Sequence, residues 1–270
     1  TALYNIIDAF FVGHISTGAT AGVGVSFAYM TFINALGFFF GHGSGNFIST
    51  ALGAKKYDEA EKMAATGFVS SMTFGLIAMI VGLCLLSPLS RMMGSTPDVL
   101  PHANDYLLFI LIGTPFMMSS LTLNNQLRLQ GNAHYAMVGI STGAILNIIL
   151  DAYFIYSLDM GVMGASLATC ISQMVGWLVL LIGTEQKGNV HIRLRNVNPS
   201  WQTFKEIFKG GNPSLVRHVF VCVSTIMLNR YAAFYADPGT EASALAAFAI
   251  VSRIMMFAFS IILGIGQGFQ

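Results

Sequence analysis

Residues 64–89 read AATGFVSSMTFGLIAMIVGLCLLSPL, a run without a single Asp, Glu, Lys or Arg. About 20 apolar residues are enough for a helix to cross about 30 Å of hydrocarbon, so this run can span a membrane. Apolar residues make up 54% of the 270-residue chain and charged residues only 9%, against about a quarter in a soluble domain. The sequence therefore predicts an all-α polytopic membrane protein.

Charged residues, Gly and Pro divide the chain into apolar runs that predict eight membrane segments. The first is too short to span a membrane, the chain opens on Thr, and it stops abruptly at Gln270. We expect an internal piece of a longer protein, in which the start of the first helix is missing. The approximate spans are 1–13, 19–48, 64–89, 104–129, 134–158, 161–182, 213–235 and 243–270.

The basic residues of the loops fall on one side of the predicted membrane. Nine of them lie in alternate loops, and the loops between hold only Arg91. Because cytoplasmic loops carry the excess of Lys and Arg, the basic loops are predicted to be cytoplasmic and Gly13 to emerge outside. The nine are Lys55, Lys56, Lys62, Arg128, Lys187, Arg193, Arg195, Lys205 and Lys209.

The longest polar stretch, residues 183–212, is predicted to be a cytoplasmic linker. Its second half has apolar residues at helical intervals, which favours an amphipathic helix on the membrane surface. Six segments precede it, so residues 1–182 are predicted to form one six-helix lobe and residues 213–270 the first two helices of a second. The apolar residues of the predicted amphipathic helix are Trp201, Phe204, Ile207 and Phe208.

A weak internal repeat supports the two lobes. Aligning Thr1 with Thr225 superposes several identical residues and keeps the loop pattern in register. Two bundles related by an axis along the membrane normal are a known transporter plan, so the intact protein is predicted to have about twelve helices. The aligned pairs are Asn5 with Asn229, Ala9 with Ala233 and Phe10 with Phe234.

Two carboxylates inside apolar segments are the leading candidates for function, because charges at membrane depth are costly. Asp8 and Asp151 both fall on the order of 10 Å below the outer surface. Asn147 lies one helical turn from Asp151, and Thr169 reaches the same depth on the next segment. Such a cluster can hold a proton, since burial and a neighbouring carboxylate disfavour the charged form. Its oxygens can instead coordinate a hard cation such as Na+. Either acid could also simply bond a neighbouring backbone group or an interfacial water.

Other functions are disfavoured by what the sequence lacks. A net charge of +1 argues against binding nucleic acid, and neither the three cysteines nor the histidines show a metal-ligand spacing. No nucleophilic triad is apparent, so we expect no enzyme activity and no cofactor. Met30, Asn34 and Met117 are expected to line a central cavity, where soft, adaptable side chains suit chemically varied ligands.

Four stretches resemble the multidrug and toxic compound extrusion (MATE) family, most closely its bacterial DinF- and MepA-like branch. The resemblance implies twelve helices in two six-helix lobes related by a pseudo-twofold axis, in the bacterial cytoplasmic membrane. It also implies antiport of cationic or amphipathic drugs against H+ or Na+, and we expect a monomer in contact with membrane lipid. The stretches are IIDAFFVGHIS (6–16), ISTALGAKKYDEAEKMA (48–64), QLRLQGNAHYAMVGISTGAILNIILDAYFIY (126–156) and MGVMGASLATCISQ (160–173).

The resemblance also implies a cation site in the first lobe. In this branch it uses an Asp of helix one, an Asn and an Asp one turn apart in helix five, and a Thr of helix six. Those positions match Asp8, Asn147, Asp151 and Thr169 here. Some MATE subfamilies carry an acidic residue in helix seven, but residues 211–229 contain none, so coupling is expected to rest on the first lobe.

Two other functions remain open on the sequence. A lipid-linked saccharide flippase of the same superfamily would need a strongly cationic cavity for pyrophosphate. Only Arg230 and Arg253 lie near the required depth, which weighs against a flippase. A membrane scaffold that transports nothing would not need two carboxylates at the same depth.

Overall fold

The computed structural model describes residues 11–13, 15–186, 188, 190–237 and 239–268. Within them the chain is helical and contains no β-strand, which confirms the all-α prediction. The helices are α1 (Thr17–Gly53), α2 (Tyr57–Cys84), α3 (Leu86–Met92), α4 (Leu100–Leu129), α5 (Ala133–Ala152), α6 (Gly161–Thr184), α7 (Trp201–Phe234) and α8 (Glu241–Gly268). A π-helical turn, Tyr153–Ser157, follows α5, and a 3-10 turn, Leu194–Asn196, lies in the linker.

Six of the described helices are long and apolar enough to cross a membrane: α1, α2, α4, α5 with its π-helical turn, α6 and α8. Large apolar side chains on their outer faces are exposed, as lipid-facing residues are; Ile77, Ile145 and Ile182 are 51%, 61% and 62% exposed. The helices α1 and α4 are the most buried spans. The polytopic membrane fold is therefore confirmed.

Glycines bring these helices into close contact. Gly37, Gly41 and Gly45 of α1 face α4, where a Cβ at Gly41 would lie 2.8 Å from the amide nitrogen of Asn125. Small residues spaced four apart allow membrane helices to approach closely without a hydrophobic driving force between them. The glycines of α1 therefore allow α1 and α4 to pack closely against each other.

The structure corrects the prediction for residues 201–212. They do not form a separate helix on the membrane surface, because α7 runs unbroken from Trp201 to Phe234 and Pro213 lies inside it. Ile207 is fully buried within the protein. Gly211 packs against Phe39 of α1, as Ile207 does against Gly43. Glycines on both helices permit this contact, so Ile207 covers α1, whereas Trp201 and Phe208 of the predicted apolar face remain 85% and 56% exposed.

The linker before α7 is fastened to α2. Asn196 donates from Nδ2 to a carboxylate oxygen of Glu61 at 2.9 Å, and the backbone N–H of Asn198 donates to Thr66 Oγ1 at 3.0 Å. Both partners lie on α2. The predicted boundaries after residues 182 and 212 remain predictions, although the second falls inside α7.

We expect Gly43→Ala to destabilise the protein. A Cβ at this position would lie 2.9 Å from the carbonyl carbon of Ile207, a backbone atom that can move only if α7 moves. In an unconstrained helix the same change is stabilising by about 1 kcal/mol, but overpacking costs about 1–3 kcal/mol. The melting temperature of the purified protein in detergent should therefore fall by several degrees.

The matched control is Gly53→Ala, at the end of the same helix, where a Cβ meets no atom within 4 Å. This variant should melt at or above the temperature of the wild type. Equal melting temperatures for the two variants would contradict the tight contact between α1 and α7.

Candidate functional site

The structure brings together three of the four residues predicted to bind a cation. Asn147 and Asp151 lie one turn apart on α5, and Thr169 faces them from α6. Asn147 donates from Nδ2 to Asp151 Oδ1 at 3.4 Å and to Thr169 Oγ1 at 3.3 Å. The exposed fractions are 2%, 0% and 4%. Asp8, the fourth residue, lies outside the described residues.

Close packing of α5 on α6 creates this cluster. A Cβ at Gly143 would lie 3.1 Å from the carbonyl oxygen of Ser172, and one at Gly176 would lie 3.2 Å from that of Gly139. Gly143 lies one turn before Asn147, so the glycine contact sets the distance at which the amide meets Thr169. The pair of glycines in α5, visible in the sequence as a GxxxG step, thus serves the site through helix packing.

A π-helical turn follows directly after this cluster. The backbone N–H of Leu158 donates to the carbonyl of Tyr153 at 3.2 Å, the i to i+5 bond of such a turn. Phe11, three residues after Asp8 in the sequence, packs edge-to-face on Tyr156 with ring centroids 5.6 Å apart. The end of the first predicted segment therefore contacts the turn beside Asp151. Single π-helical turns occur often at functional sites.

The chemistry available at the cluster is that of oxygen ligands. A buried carboxylate with an amide and a hydroxyl beside it can take up a proton or hold a hard monovalent cation. Among the described residues, no group of three or more His, Cys, Asp and Glu side chains could hold a metal ion. The cluster therefore offers no soft-metal site of the kind that nitrogen and sulfur ligands build.

A cavity between α1, α4, α5 and α6 opens onto the cluster. Its walls include Met30 and Asn34 of α1, Met117 of α4, Asn147 of α5 and Thr169 of α6. The three residues expected to line a central cavity thus line the same cavity as two residues of the predicted cation site. Their binding roles remain predictions.

Several polar residues of the cavity wall were not predicted. Ser120 and Asn124 lie one turn apart on α4, and Ser172 and Gln173 follow Thr169 on α6; Met256 of α8 also contributes to the wall. The signal was present in the sequence, since uncharged polar residues recur at i, i+3 and i+4 on otherwise apolar helices. The sequence could not show that the polar faces of α4 and α6 line the same cavity.

Polar contacts also join α1 to α7. His42 Nδ1 and Ser214 Oγ lie 3.0 Å apart, and His218 Nδ1 lies 2.8 Å from the carbonyl oxygen of Ser214. Phe38 stacks on both imidazoles, with ring centroids 5.4 Å from His42 and 4.9 Å from His218. The C-terminal half of α1 is thereby held to the N-terminal half of α7.

A second contact holds α7 near its C-terminal end. Asn229, which is 2% exposed, donates from Nδ2 to the carbonyl oxygen of Met93 at 3.3 Å. Arg230 donates from Nη2 to the carbonyl of Met92 at 3.3 Å. In the described part of the chain, α7 therefore contacts α1 towards its N-terminal end, and Met92 and Met93 towards its C-terminal end.

Comparison with known proteins identifies the family. Residues 1–153 match the MatE family. The multidrug export protein MepA of Staphylococcus haemolyticus (strain JCSC1435) is 27% identical over 270 residues, which cover 99% of this chain and 59% of that protein. MepA of Staphylococcus aureus (strain MRSA252) is 26% identical with the same coverage. The chain thus spans about 59% of the length of these relatives.

Solved structures of MATE transporters are also similar to this chain. The MATE multidrug transporter DinF-BH in complex with rhodamine 6G, called rhodamine below, has a TM-score of 0.90 and 32% identity, covering 98% of this chain and 59% of that one. An inward-facing MATE family multidrug resistance transporter of the MOP superfamily scores 0.89 at 30% identity, covering 97% and 59%. An outward-facing MATE transporter scores 0.84 at 30% identity, covering 98% and 58%. Because the match covers more than half of its residues, this chain belongs to the MatE family.

Proposed function

We propose that the protein exports cationic or amphipathic drugs in exchange for H+ or Na+, by alternating access between two lobes. The observation that carries the proposal is the buried Asn147, Asp151 and Thr169 cluster opening onto a cavity with soft and uncharged polar walls. The similarity to multidrug export proteins and to a structure that contains rhodamine supports the same class of substrate.

In the proposed mechanism, the coupling cation enters from the outside and binds at Asp151, together with Asp8. Binding neutralises a charge at the outer end of the cavity, and this weakens the hold on a cationic drug. Linkage is reciprocal, so the drug must weaken cation binding by the same factor. The drug and the cation therefore occupy the protein alternately, and the inward cation gradient drives the drug out.

The proposal includes a location and an orientation. We place the protein in the bacterial cytoplasmic membrane as a monomer surrounded by lipid, with the linker of residues 183–212 in the cytoplasm and no cofactor. The distribution of Lys and Arg among the loops supports this orientation.

The cavity wall disfavours a saccharide flippase. A pyrophosphate-linked substrate would need several cationic groups, and the described residues that line the cavity include no Lys or Arg. Methionine and amide side chains, such as Met30, Met117 and Asn124, instead suit a hydrophobic cation.

Transport by the full-length protein in liposomes tests the proposal. Rhodamine efflux is followed while a pH gradient or a Na+ gradient is imposed separately, with protein-free liposomes as the baseline. We expect one of the two gradients to drive rhodamine against its concentration gradient and thereby to identify the coupling ion. If neither gradient drives transport, the coupling assignment is wrong.

A further inference from the structure

The linker and the first turn of α7 each expose a large apolar side chain. Leu194, in the 3-10 turn of the linker, is 73% exposed, and Trp201, the first residue of α7, is 85% exposed. Exposed apolar side chains with a charged rim mark surfaces that contact a partner or a membrane. The identity of the partner depends on the charges and on the depth of this surface.

The charges around the two apolar side chains are basic. Two exposed arginines flank Leu194, and two exposed lysines lie one and two turns after Trp201. Residues 191–209 contain these four cations and one acidic residue, Glu206, which leaves a net charge of +3 with His191 neutral. Among the residues that the structure describes, none of the four cations forms an ion pair. We call Arg193, Leu194, Arg195, Trp201, Lys205 and Lys209 the basic patch.

The packing of α7 on α1 gives the depth of Trp201. Gly43 of α1 contacts Ile207, and Phe39 contacts Gly211, so the two helices run in opposite directions. Gly43 lies five residues before residue 48, the predicted end of its span, and Trp201 lies six residues before Ile207. Because a helix rises about 1.5 Å per residue, Trp201 falls within about 2 Å of the end of that span.

The linker lies at a similar depth. Asn196, in the same 3-10 turn as Leu194, bonds to Glu61 of α2. Glu61 lies three residues before residue 64, the predicted start of its span, and therefore about 5 Å beyond the hydrocarbon. Lipid headgroups occupy roughly the first 5–8 Å beyond the hydrocarbon. Both parts of the basic patch therefore lie at the level of the headgroups.

The residue types of the basic patch suit this level. Tryptophan is enriched at membrane interfaces because its ring is apolar and its N–H is polar. Long Lys and Arg side chains can keep their stems in the apolar region while their charges reach the phosphates. Clustered basic residues beside a membrane span attract anionic lipids of the cytoplasmic leaflet. A zwitterionic headgroup has no net charge to complement the +3 of residues 191–209.

We propose that the basic patch binds anionic phospholipids of the cytoplasmic leaflet. The four cations contact the headgroup phosphates, and Leu194 and Trp201 contact the upper part of the acyl chains. The start of α7 does not lie flat on the membrane; it packs along α1 and presents one side to the lipid. Bound lipid thus holds the linker and the start of α7 at the leaflet. The inference rests on the proposed orientation, in which residues 183–212 are cytoplasmic.

Brominated lipids test the proposal, because bromine quenches the fluorescence of a tryptophan that it contacts. The full-length protein, with Trp201 as its only tryptophan, is placed in phosphatidylcholine nanodiscs. These contain an equal minor fraction of brominated phosphatidylglycerol, which is anionic, or of brominated phosphatidylcholine. We expect phosphatidylglycerol to be enriched at least about fivefold around Trp201, since one basic residue near an anionic surface raises binding by about this factor.

The matched control keeps Trp177 as the only tryptophan. Its ring packs against Phe68 and Phe116 inside the first lobe, so both brominated lipids should quench it equally. Equal quenching of Trp201 by the two lipids overturns the preference for anionic lipid. If neither lipid quenches Trp201, protein covers the patch and the proposal is wrong. These measurements need no transport, so their failure leaves the proposed drug export standing, and a failed efflux assay leaves the lipid site standing.

Charge variants identify the residues that bind the lipid. Replacing both Lys205 and Lys209 with Gln should remove most of the enrichment around Trp201, and replacing both with Arg should preserve it. The control replaces Lys55 and Lys56 with Gln; it removes the same charge from the turn between α1 and α2 and should keep the enrichment. All four lysines are exposed, so each variant should melt at the wild-type temperature. Enrichment that survives the Gln changes at 205 and 209 overturns the proposal.

Discussion

Replacing Asp151 with Asn is expected to abolish gradient-driven export of rhodamine. Asp151 is fully buried beside Asn147, and Asn keeps its shape but can neither release a proton nor neutralise Na+. The difference in drug affinity between the two cation states should disappear with the charge. Coupling free energies of about 1–3 kcal/mol correspond to a ratio of up to about 150, so the initial rate in liposomes should fall to the protein-free baseline.

The matched control is Asp159→Asn, eight residues further along the chain. Asp159 is exposed and has a positive φ of 50°, a conformation that Asn adopts readily. This variant should transport rhodamine at the wild-type rate. Gradient-driven export by Asp151→Asn at a rate equal to that of the control would show that coupling does not pass through Asp151.

Stability separates this loss of function from misfolding. A buried carboxylate is costly to desolvate, and Asn removes the charge while keeping the shape of the side chain. Asp151→Asn should therefore insert normally and melt at or above the temperature of the wild type. A lower melting temperature would mean that the charge has a structural role, for instance in an ion pair that the fold requires.

Six of the eight predicted spans match helices long and apolar enough to cross a membrane. They were predictable because each membrane helix satisfies its own backbone hydrogen bonds, so length and apolarity along the sequence are sufficient. The sequence spacing and membrane depth of Asn147, Asp151 and Thr169 also predicted that these residues lie close together, as the structure shows. Those residues lie on two consecutive segments that run in opposite directions. Residues at the same membrane depth on two such segments are expected to be close in space. The segment at 64–89, which first indicated the fold, forms most of α2, which ends at Cys84, and the start of the short helix α3.

The sequence could not show which faces of the helices contact each other. The burial of Ile207 follows from Gly43 and Gly211 on opposing helices, and no local pattern reveals that contact. Ser172 likewise looks like any small residue in a membrane helix until its face is seen to share a cavity with Asn147. Rotation of a helix about its own axis is set by its neighbours, so these features needed the three-dimensional structure.

Linking α1 to α7 at the ends predicted to be cytoplasmic is expected to stop transport completely. His42 Nδ1 and Ser214 Oγ lie 3.0 Å apart, so cysteines at both positions should react with a short, reversible thiol cross-linker. The three native cysteines, Cys84, Cys170 and Cys222, are first replaced to avoid other products. In the proposed mechanism this contact must separate whenever the cavity opens to the cytoplasm. Rhodamine export should therefore drop to baseline on cross-linking and recover when the link is reduced.

The control for this experiment links two elements that should not separate. Glu61 of α2 and Asn196 of the linker are 2.9 Å apart in their side-chain contact, and the linker is fastened to α2 at a second point through Thr66. Cysteines at positions 61 and 196, cross-linked to the same extent, should leave rhodamine export unchanged. Full transport by a completely cross-linked pair at 42 and 214 would mean that these ends of α1 and α7 move as one body. The boundary between the parts that move during transport would then have to lie on the side of α7 that faces away from α1.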